Sequence, residues 1–536
     1  MKLKRFLLTG FATAFVFAAC AVSASACTEI YVGKDVSEDG SIIIARSNDY
    51  QKIWPNYITI VERVENEPGR ELPISADGKV TVPVKATTLK YQATPWMDYT
   101  TAENGAARDA CCGCNEMGVA FTMSVTAFPN EKAKAADPFV EGGLAEQAAT
   151  DLVLSQAETA REAIELLTEI IDEYGAVEGA IATAADSDEV WYLEIYTGHQ
   201  YAAVKLPSDK VAVFGNEYTL EYVSDYEASI ASPELESLAE KKGFAVTDEE
   251  KGLNLYKSYS GDSVAKDYSR LRTWIGHKTL APSQYEDYSL EELYPLTFEP
   301  DEKVSFEDVT ELIRNRFEGT EYSPDETGVS NMRVIGTDTA MSVHILQIFP
   351  ELPKEMSVVL WECTGPAVYG VFVPVSNASA EIAEPYANNQ GAEEAGEYNF
   401  DTSLYPWYVI KELNTIGMRN YKVYGEPVRK CFSRAENTMY SELTALLKET
   451  AEEFADDPEA AAEEITAYCC AVQNQAFEDA CRMLSKLRWT QSYNSNTMKS
   501  GVNPETGESN ITAEELTPVE LEIDTGLYKR RVLENC

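Results

Sequence analysis

Histidine is scarce. The 536-residue chain holds three, His199, His277 and His344. None stands in an H-E-x-x-H pattern, and G-x-S-x-G and phosphate-cradling glycine loops are also missing. Those absences argue against the helical zinc hydrolases, the nucleophile-elbow hydrolases and the nucleotide-binding motifs. Basic residues are few as well, with 44 Lys+Arg against 89 Asp+Glu and a formal charge of −45. Phosphate backbones and anionic lipid surfaces require a basic face, so neither a nucleic-acid partner nor lipid docking is expected. After the first 26 residues no apolar run has the length of a membrane helix, so no membrane span is expected. What the chain does hold is acid and core: 44% hydrophobic and 10% aromatic residues, enough to fill a sizeable interior. The acidic excess reads as the solvated shell of a protein outside the cell.

The N-terminus reads as an address. Lys2, Lys4 and Arg5 precede an apolar stretch from Phe6 to Ala19, followed by Ala24-Ser25-Ala26. A basic start, a short apolar run and a small-x-small site form a secretory signal peptide, so residues 1–26 are expected to be removed. Losing those three basic residues takes the formal charge from −45 to −48. The product is expected to be secreted or held in the cell envelope. A rival reading takes Phe17-Ala18-Ala19-Cys20 as a lipoprotein box with Cys20 lipidated. Cleavage after Ala26 leaves Cys27 with a free α-amine, whose pKa of about 7.7–8.0 suits a general base near neutrality. Such an amine can take the proton of its own thiol, with no histidine needed. The competing reading makes Cys27 half of a disulfide or a bystander to the cut.

Cys27 to Gly33 reads as a strand, Lys34 to Gly40 as a turn and Ser41 to Ala45 as a second strand. A hairpin pairing Gly33 with Ser41 brings Cys27 opposite about Ser47, with Arg46 and Asp49 close by. A slip of a residue or two does not remove that cluster. Further strands are expected at 119–125, 189–196, 200–206, 211–214, 341–348, 357–363 and 368–375. Helical spacing of Ile164, Leu167, Ile171 and Tyr174, a Thr159/Glu162 capping box and Gly175 predict a helix over 155–174. Residues 225–303 are acidic and tyrosine-rich with few strand signals, and 376–398 reads as a surface loop. Residues 436–489 read as helical, broken at Asp456-Asp457-Pro458, and 490–515 as a polar, mobile tail. Paired strands with helices in blocks suggest antiparallel sheets covered by helices.

With Cys27, Arg46 and Asp49 in view, the chain resembles the C69 dipeptidases, N-terminal-nucleophile hydrolases related to penicillin V acylase and bile salt hydrolase. Cys27-Thr28, Val32-Gly33-Lys34, Asp39-Gly40-Ser41 and Ala45-Arg46-x-x-Asp49 resemble the family's opening. Asn115-Glu116-x-Gly118-Val119-Ala120, Glu189-Val190-Trp191-Tyr192 with Gly198-His199, and Ser342-Val343-His344 resemble later blocks. The likeness covers roughly residues 27–430. It implies an α+β fold, an αββα four-layer sandwich, here with a C-terminal helical extension. The expected division is 1–26 signal peptide, 27–435 hydrolase domain and 436–536 helical extension and polar tail.

The resemblance also implies roles. Cys27 is the nucleophile with its own α-amine as base. Arg46 favours the thiolate, and Asp49 holds the α-amine or receives a substrate amine. Asn216 is the oxyanion asparagine, with a second oxyanion donor near Ser124 to Thr126. Arg270 and Arg272 are both candidates for a site arginine. Read from the residues alone, Arg46 and Asp49 can be a surface ion pair, Asn216 can satisfy a strand end or turn, and both later arginines can be helix-surface charges. The activity implied is hydrolysis of dipeptides, a small peptide being the substrate. The alternatives are an acylase of non-peptide amides and a non-catalytic cell-surface binding protein. No cofactor or metal is expected, and a homo-oligomer is left open.

Of 11 cysteines, Cys111, Cys112 and Cys114 form one cluster and Cys469, Cys470 and Cys481 another. Export permits disulfides between them and a reducing niche leaves thiols, so the pairing stays open. A zinc site lacks the usual paired C-x-x-C spacing. Ser263-Val264-Ala265-Lys266, Ser492-Tyr493-Asn494 and Lys499-Ser500-Gly501 imitate penicillin-binding-protein motifs. Only four residues separate the last two motifs, too few for the intervening structure such enzymes carry.

Overall fold

Side chains of the central strands alternate between two separate interiors. Ala180, Ala182 and Ala184 enter one core, while Ile181 and Ala185 enter the other. Trp191, Leu193 and Ile195 against Val190 and Tyr192 repeat the pattern on the next strand. Period-two alternation with both faces buried requires a layer on each side of the sheet. The computed structural model describes residues 27–50, 55–96, 109–125, 127–261, 266–291, 293–329, 332–387, 405–454, 456–500 and 516–530. The expected signal peptide with Cys20 lies outside them, as do Thr126, Ser263, Val264, Ala265 and most of the tail from 501 on.

Two antiparallel sheets stack face to face. The first runs Val211–Phe214, Glu29–Val32, Ile42–Asp49, Ala340–Ile348, Val358–Cys363, Val373–Ser376. The second has eight strands and runs from Ser229–Ala231 through Tyr201–Lys205, Val190–Ile195, Ala180–Ala185, Ala120–Val125, Ala110–Asn115 and Tyr91–Pro95 to Thr59–Val61. Helices Glu146–Leu154 and Ala160–Tyr174 cover the outer face of the second sheet. Helices Lys266–Leu280, Phe306–Ile313 and the C-terminal helices cover the first. The order helix, sheet, sheet, helix is the four-layer sandwich expected. Among the described residues, no helix is long and apolar enough to cross a membrane.

Local signals hold in part. Thr159 caps the Ala160–Tyr174 helix by accepting from Glu162 N at 3.1 Å, and Gly175 ends it at a φ of 76°. The reciprocal half of the box is displaced, because the Glu162 carboxylate accepts from Glu158 N instead. The break before Pro458 separates helices Glu426–Phe454 and Pro458–Ser500. The expected boundary at 435/436 falls inside the first of these. The second runs on to residue 500, past the start of the expected mobile tail. Ser492 and Tyr493 lie on it, Ser492 bonding to Arg488 O in an ordinary helical turn. Asn377, at the start of the expected surface loop, is buried and bonds to Asn115 O and Lys354 O.

The interior between the sheets is partly polar. Strand pairing aligns Glu29, Arg46, His344 and Glu362 across four neighbouring strands of the first sheet. Thr183, Thr122, Cys112 and Thr94 form the facing row on the second. Thr183 donates to Glu29 at 2.5 Å, Arg46 donates to Thr122 at 2.7 Å, and Thr94 donates to Glu362 at 3.2 Å. Each buried charge of the row thereby keeps a partner, the condition for burying it.

Candidate active site

Cys27 stands just before the Glu29–Val32 strand, where the ladder still holds. Thr28 N donates to Ser47 Oγ at 3.1 Å and Ser47 N donates to Thr28 O at 3.0 Å. Pairing of Glu29 with Arg46 puts Cys27 level with Asn48, one residue from the sequence-derived register. On the other side, pairing of Glu29 with Phe214 brings Asn216 level with Cys27. The nucleophile candidate and the oxyanion candidate are thus neighbours on adjacent strands, fixed by register.

Arg46 is fully buried and reaches across the inter-sheet space. It donates to Thr122 Oγ1 at 2.7 Å, to Cys111 O at 2.9 Å and toward Cys27 Sγ at 3.5 Å. Glu146, at the start of its helix, approaches the same guanidinium at 3.9 Å. Burial dominates the thiol and raises the Cys27 pKa; Arg46 and a hydrogen bond with Ser124 pull it down, while Asp49 and Glu146 push it up. Arg46 therefore favours the thiolate as expected, but burial outweighs it. Ser124 falls at the expected second-donor segment.

The Lys266–Leu280 helix delivers one arginine and not the other. Arg272 donates to Cys27 O at 2.7 Å, to Thr28 Oγ1 at 2.9 Å and to Asn216 Oδ1 at 2.6 Å. Asn216 thus presents its amide oxygen to Arg272. Arg270 bonds instead to Leu290 O, Tyr256 Oη and Glu217, none of them at the nucleophile. Two residues apart on a helix lie about 200° apart around its axis, so both cannot face Cys27. Gly276 lets this helix approach the sheet, since a Cβ there would lie 2.2 Å from Val213 Cγ1.

Asp49 is fully buried at the end of its strand and pairs with Arg333 at 3.2 Å. Burial raises its pKa to about 6, opposed by Arg333 and Arg272. Tyr268 lies between those two arginines, 5.2 Å from Arg272 and 5.6 Å from Arg333, as a cation–π partner of both. Burial and the nearby Arg333 lower the Arg272 pKa to about 10. Sequence reasoning missed Arg333, Tyr268, Thr122 and Glu146. Tyr268 and Arg272 share a helix in the stretch read as poor in elements, and nothing around Arg333 forms a pattern.

Of the three histidines only His344 reaches this cluster, with Nε2 3.0 Å from Thr122 Oγ1. His277 is buried with both ring nitrogens near backbone carbonyls, and His199 pairs with Asp137 at 2.9 Å. Among the described residues, Cys27, Cys111, Cys112, Cys114, Cys363, Cys431, Cys469, Cys470 and Cys481 are thiols, none joined to another in a disulfide. The arrangement offers a sulfur nucleophile beside a buried cation, an amide donor locked by a second cation, and a carboxylate one turn of chemistry away. That set suits acyl transfer.

Comparison with known proteins points the same way. The pattern described as Peptidase family C69 matches residues 26–433. A probable dipeptidase B of Streptococcus pyogenes serotype M1 is 32% identical over 82% of this chain and 88% of its own. A probable dipeptidase B of Lactococcus lactis subsp. lactis is 30% identical over 74% and 82%. Among solved structures, a mutant conjugated bile acid hydrolase from Clostridium perfringens aligns over 65% of this chain and 92% of its own, at 9% identity and a TM-score of 0.32.

Proposed function

Because the chain belongs to peptidase family C69, we propose that it is an exported cysteine-type dipeptidase with Cys27 as nucleophile. The observation that carries this reading is Arg272, which grips Cys27 O and Asn216 Oδ1 together. Removal of residues 1–26 frees the Cys27 α-amine. That amine takes the thiol proton, and the thiolate attacks the scissile carbonyl carbon. Negative charge develops on the carbonyl oxygen, where Asn216 Nδ2 and the Ser124 region donate. As the C–N bond breaks, the ammonium returns its proton to the leaving amino acid. Water, deprotonated by the same amine, attacks the thioester; the first amino acid leaves as its carboxylate and the thiol is restored. Asp49 holds either the α-amine or the substrate's free ammonium, and Arg333 and Arg272 keep it ionised.

Mass spectrometry of the exported protein tests the mechanism. The mature chain should begin at Cys27, and Cys27→Ala should hydrolyse neither free dipeptides nor N-acyl amides. An active chain that still carries residues before Cys27 would sink it. Preference for free dipeptides over bile-salt or penicillin-type amides separates the dipeptidase from an acylase.

A further inference from the structure

A second cluster lies beside Arg46, on the facing row. Cys111 and Cys112 are neighbours in sequence, and in a regular strand their side chains would point to opposite faces. Here the ladder slips: Ala93 pairs with Gly113 while Pro95 pairs with Ala110, so both cysteines oppose Thr94. This is a β-bulge, and bulges re-aim side chains. Both sulfurs consequently meet Thr94, Cys111 Sγ at its carbonyl (3.5 Å) and Cys112 Sγ at its hydroxyl (3.6 Å). The two sulfurs are 3.9 Å apart, and a ring nitrogen of His344 lies within 4.8 Å of them. Glu362 Oε2 is 4.0 Å from Cys112 Sγ. All four residues are fully or almost fully buried.

We propose that Cys111, Cys112 and His344 form a buried three-ligand site for a zinc-class cation. Four features carry the assignment. Zinc–sulfur bonds of about 2.3 Å at tetrahedral angles place two sulfurs about 3.8 Å apart, close to the separation here, whereas a disulfide requires about 2.05 Å. His344 offers a lone pair: Thr122 gives its hydroxyl proton to Cys111 O at 3.3 Å, so His344 Nε2, 3.0 Å from the same oxygen, is the donor there. Nδ1 is then the unprotonated nitrogen, and the Cys111 thiol is the ring's other hydrogen-bonding neighbour. A ligand histidine whose other nitrogen donates to a fixed acceptor is the usual arrangement around zinc. Finally, two thiolates balance the two charges of a divalent cation, so the buried site would carry no net charge. Two thiolates and an imidazole form a donor set that zinc accepts. The site differs from the catalytic one and does not depend on the dipeptidase reading.

The test uses the full-length Cys27→Ala chain, which removes the competing nucleophilic thiol. Folded in the presence of zinc and desalted, it should carry one zinc per chain by elemental analysis. Cobalt in its place should give the intense charge-transfer absorption of thiolate ligation. Cys111→Ser with Cys112→Ser, and His344→Gln, should lose the metal while circular dichroism confirms the fold. A folded Cys27→Ala chain holding far less than one equivalent of zinc overturns the proposal. So does a chain whose mass shows Cys111 and Cys112 joined as a disulfide. A cobalt spectrum without thiolate character also overturns it, and that reading needs no variant of the cluster.

Discussion

Arg272 and Arg270 differ by two positions and by nearly half a turn, and their substitution should separate them. Arg272→Lys keeps a charge but loses the fork that holds Cys27 O and Asn216 Oδ1 together. It should lower kcat by roughly 10²-fold, whereas Arg270→Lys should leave kcat within about threefold once folded. Asn216→Ala should cost about 10²–10³ in kcat on dipeptides, the usual loss for one oxyanion donor. The acid limb of kcat/KM should follow Asp49, whose pKa stands at about 6. Arg333 is the strongest influence lowering it, so Arg333→Gln should move that limb to higher pH; an unmoved limb assigns it to another group. Glu29 carries a stability prediction. Burial raises its pKa to about 7, above the unfolded value of about 4.3. The folded state therefore binds the proton more readily, and the stability linked to Glu29 is present below pH 4.3 and lost as pH rises through 7. Glu29→Gln mimics the protonated acid and can still accept from Thr183. Its melting temperature should exceed the wild type's at pH 8, by up to about 3 kcal/mol of stability, with the gain vanishing near pH 4.

At the scale of single elements, the closest approach between a helix and the sheet decides where Arg272 can reach. Gly276 faces Val213 with no room for a methyl group. Gly276→Ala should destabilise by about 1–3 kcal/mol in denaturant titration and lower activity as the helix is pushed outward. That helix had no clear apolar period in the sequence, because Arg270, Arg272 and His277 are polar residues on its buried side, where the helix-surface reading of the two arginines fails. The Cys27 hairpin was legible because it is local: alternating Ile30 and Val32 and the Asp39-Gly40 turn fix it within a dozen residues on either side. Its register differed by one, within the slip such a turn allows. Strands 91–95, 110–115 and 180–185 escaped notice for another reason. Their many alanines, with Pro95 and Gly113, carry weak strand preference and take their state from the sheet around them. The bulge at Cys111 shows the same limit, since nothing in Cys-Cys-Gly-Cys announces that two neighbours will share a face.

For the molecule as a whole, the C-terminal helices share a core with the sandwich. Glu436, at the expected domain boundary, takes both terminal nitrogens of Arg314 at 2.9 and 2.5 Å and accepts from Phe372 N at 2.8 Å, all buried. Glu436→Ala leaves Arg314 charged and unpaired inside the protein. It should cost about 3–5 kcal/mol, read as a fall in the denaturation midpoint. Ile465, Val472, Ala476 and Leu487 of the last long helix belong to the same continuous interior as Ile43 and Leu346 of the sheet. Tyr528 closes that interior near the end of the chain: its hydroxyl donates to Asp479 at 2.6 Å, its carbonyl accepts from Tyr468, and its side chain is buried. This closure sets a schedule. Chains are made from the N-terminus and their domains fold as units. A unit whose final plug is some five hundred residues from its first strand cannot complete itself while it is still being made.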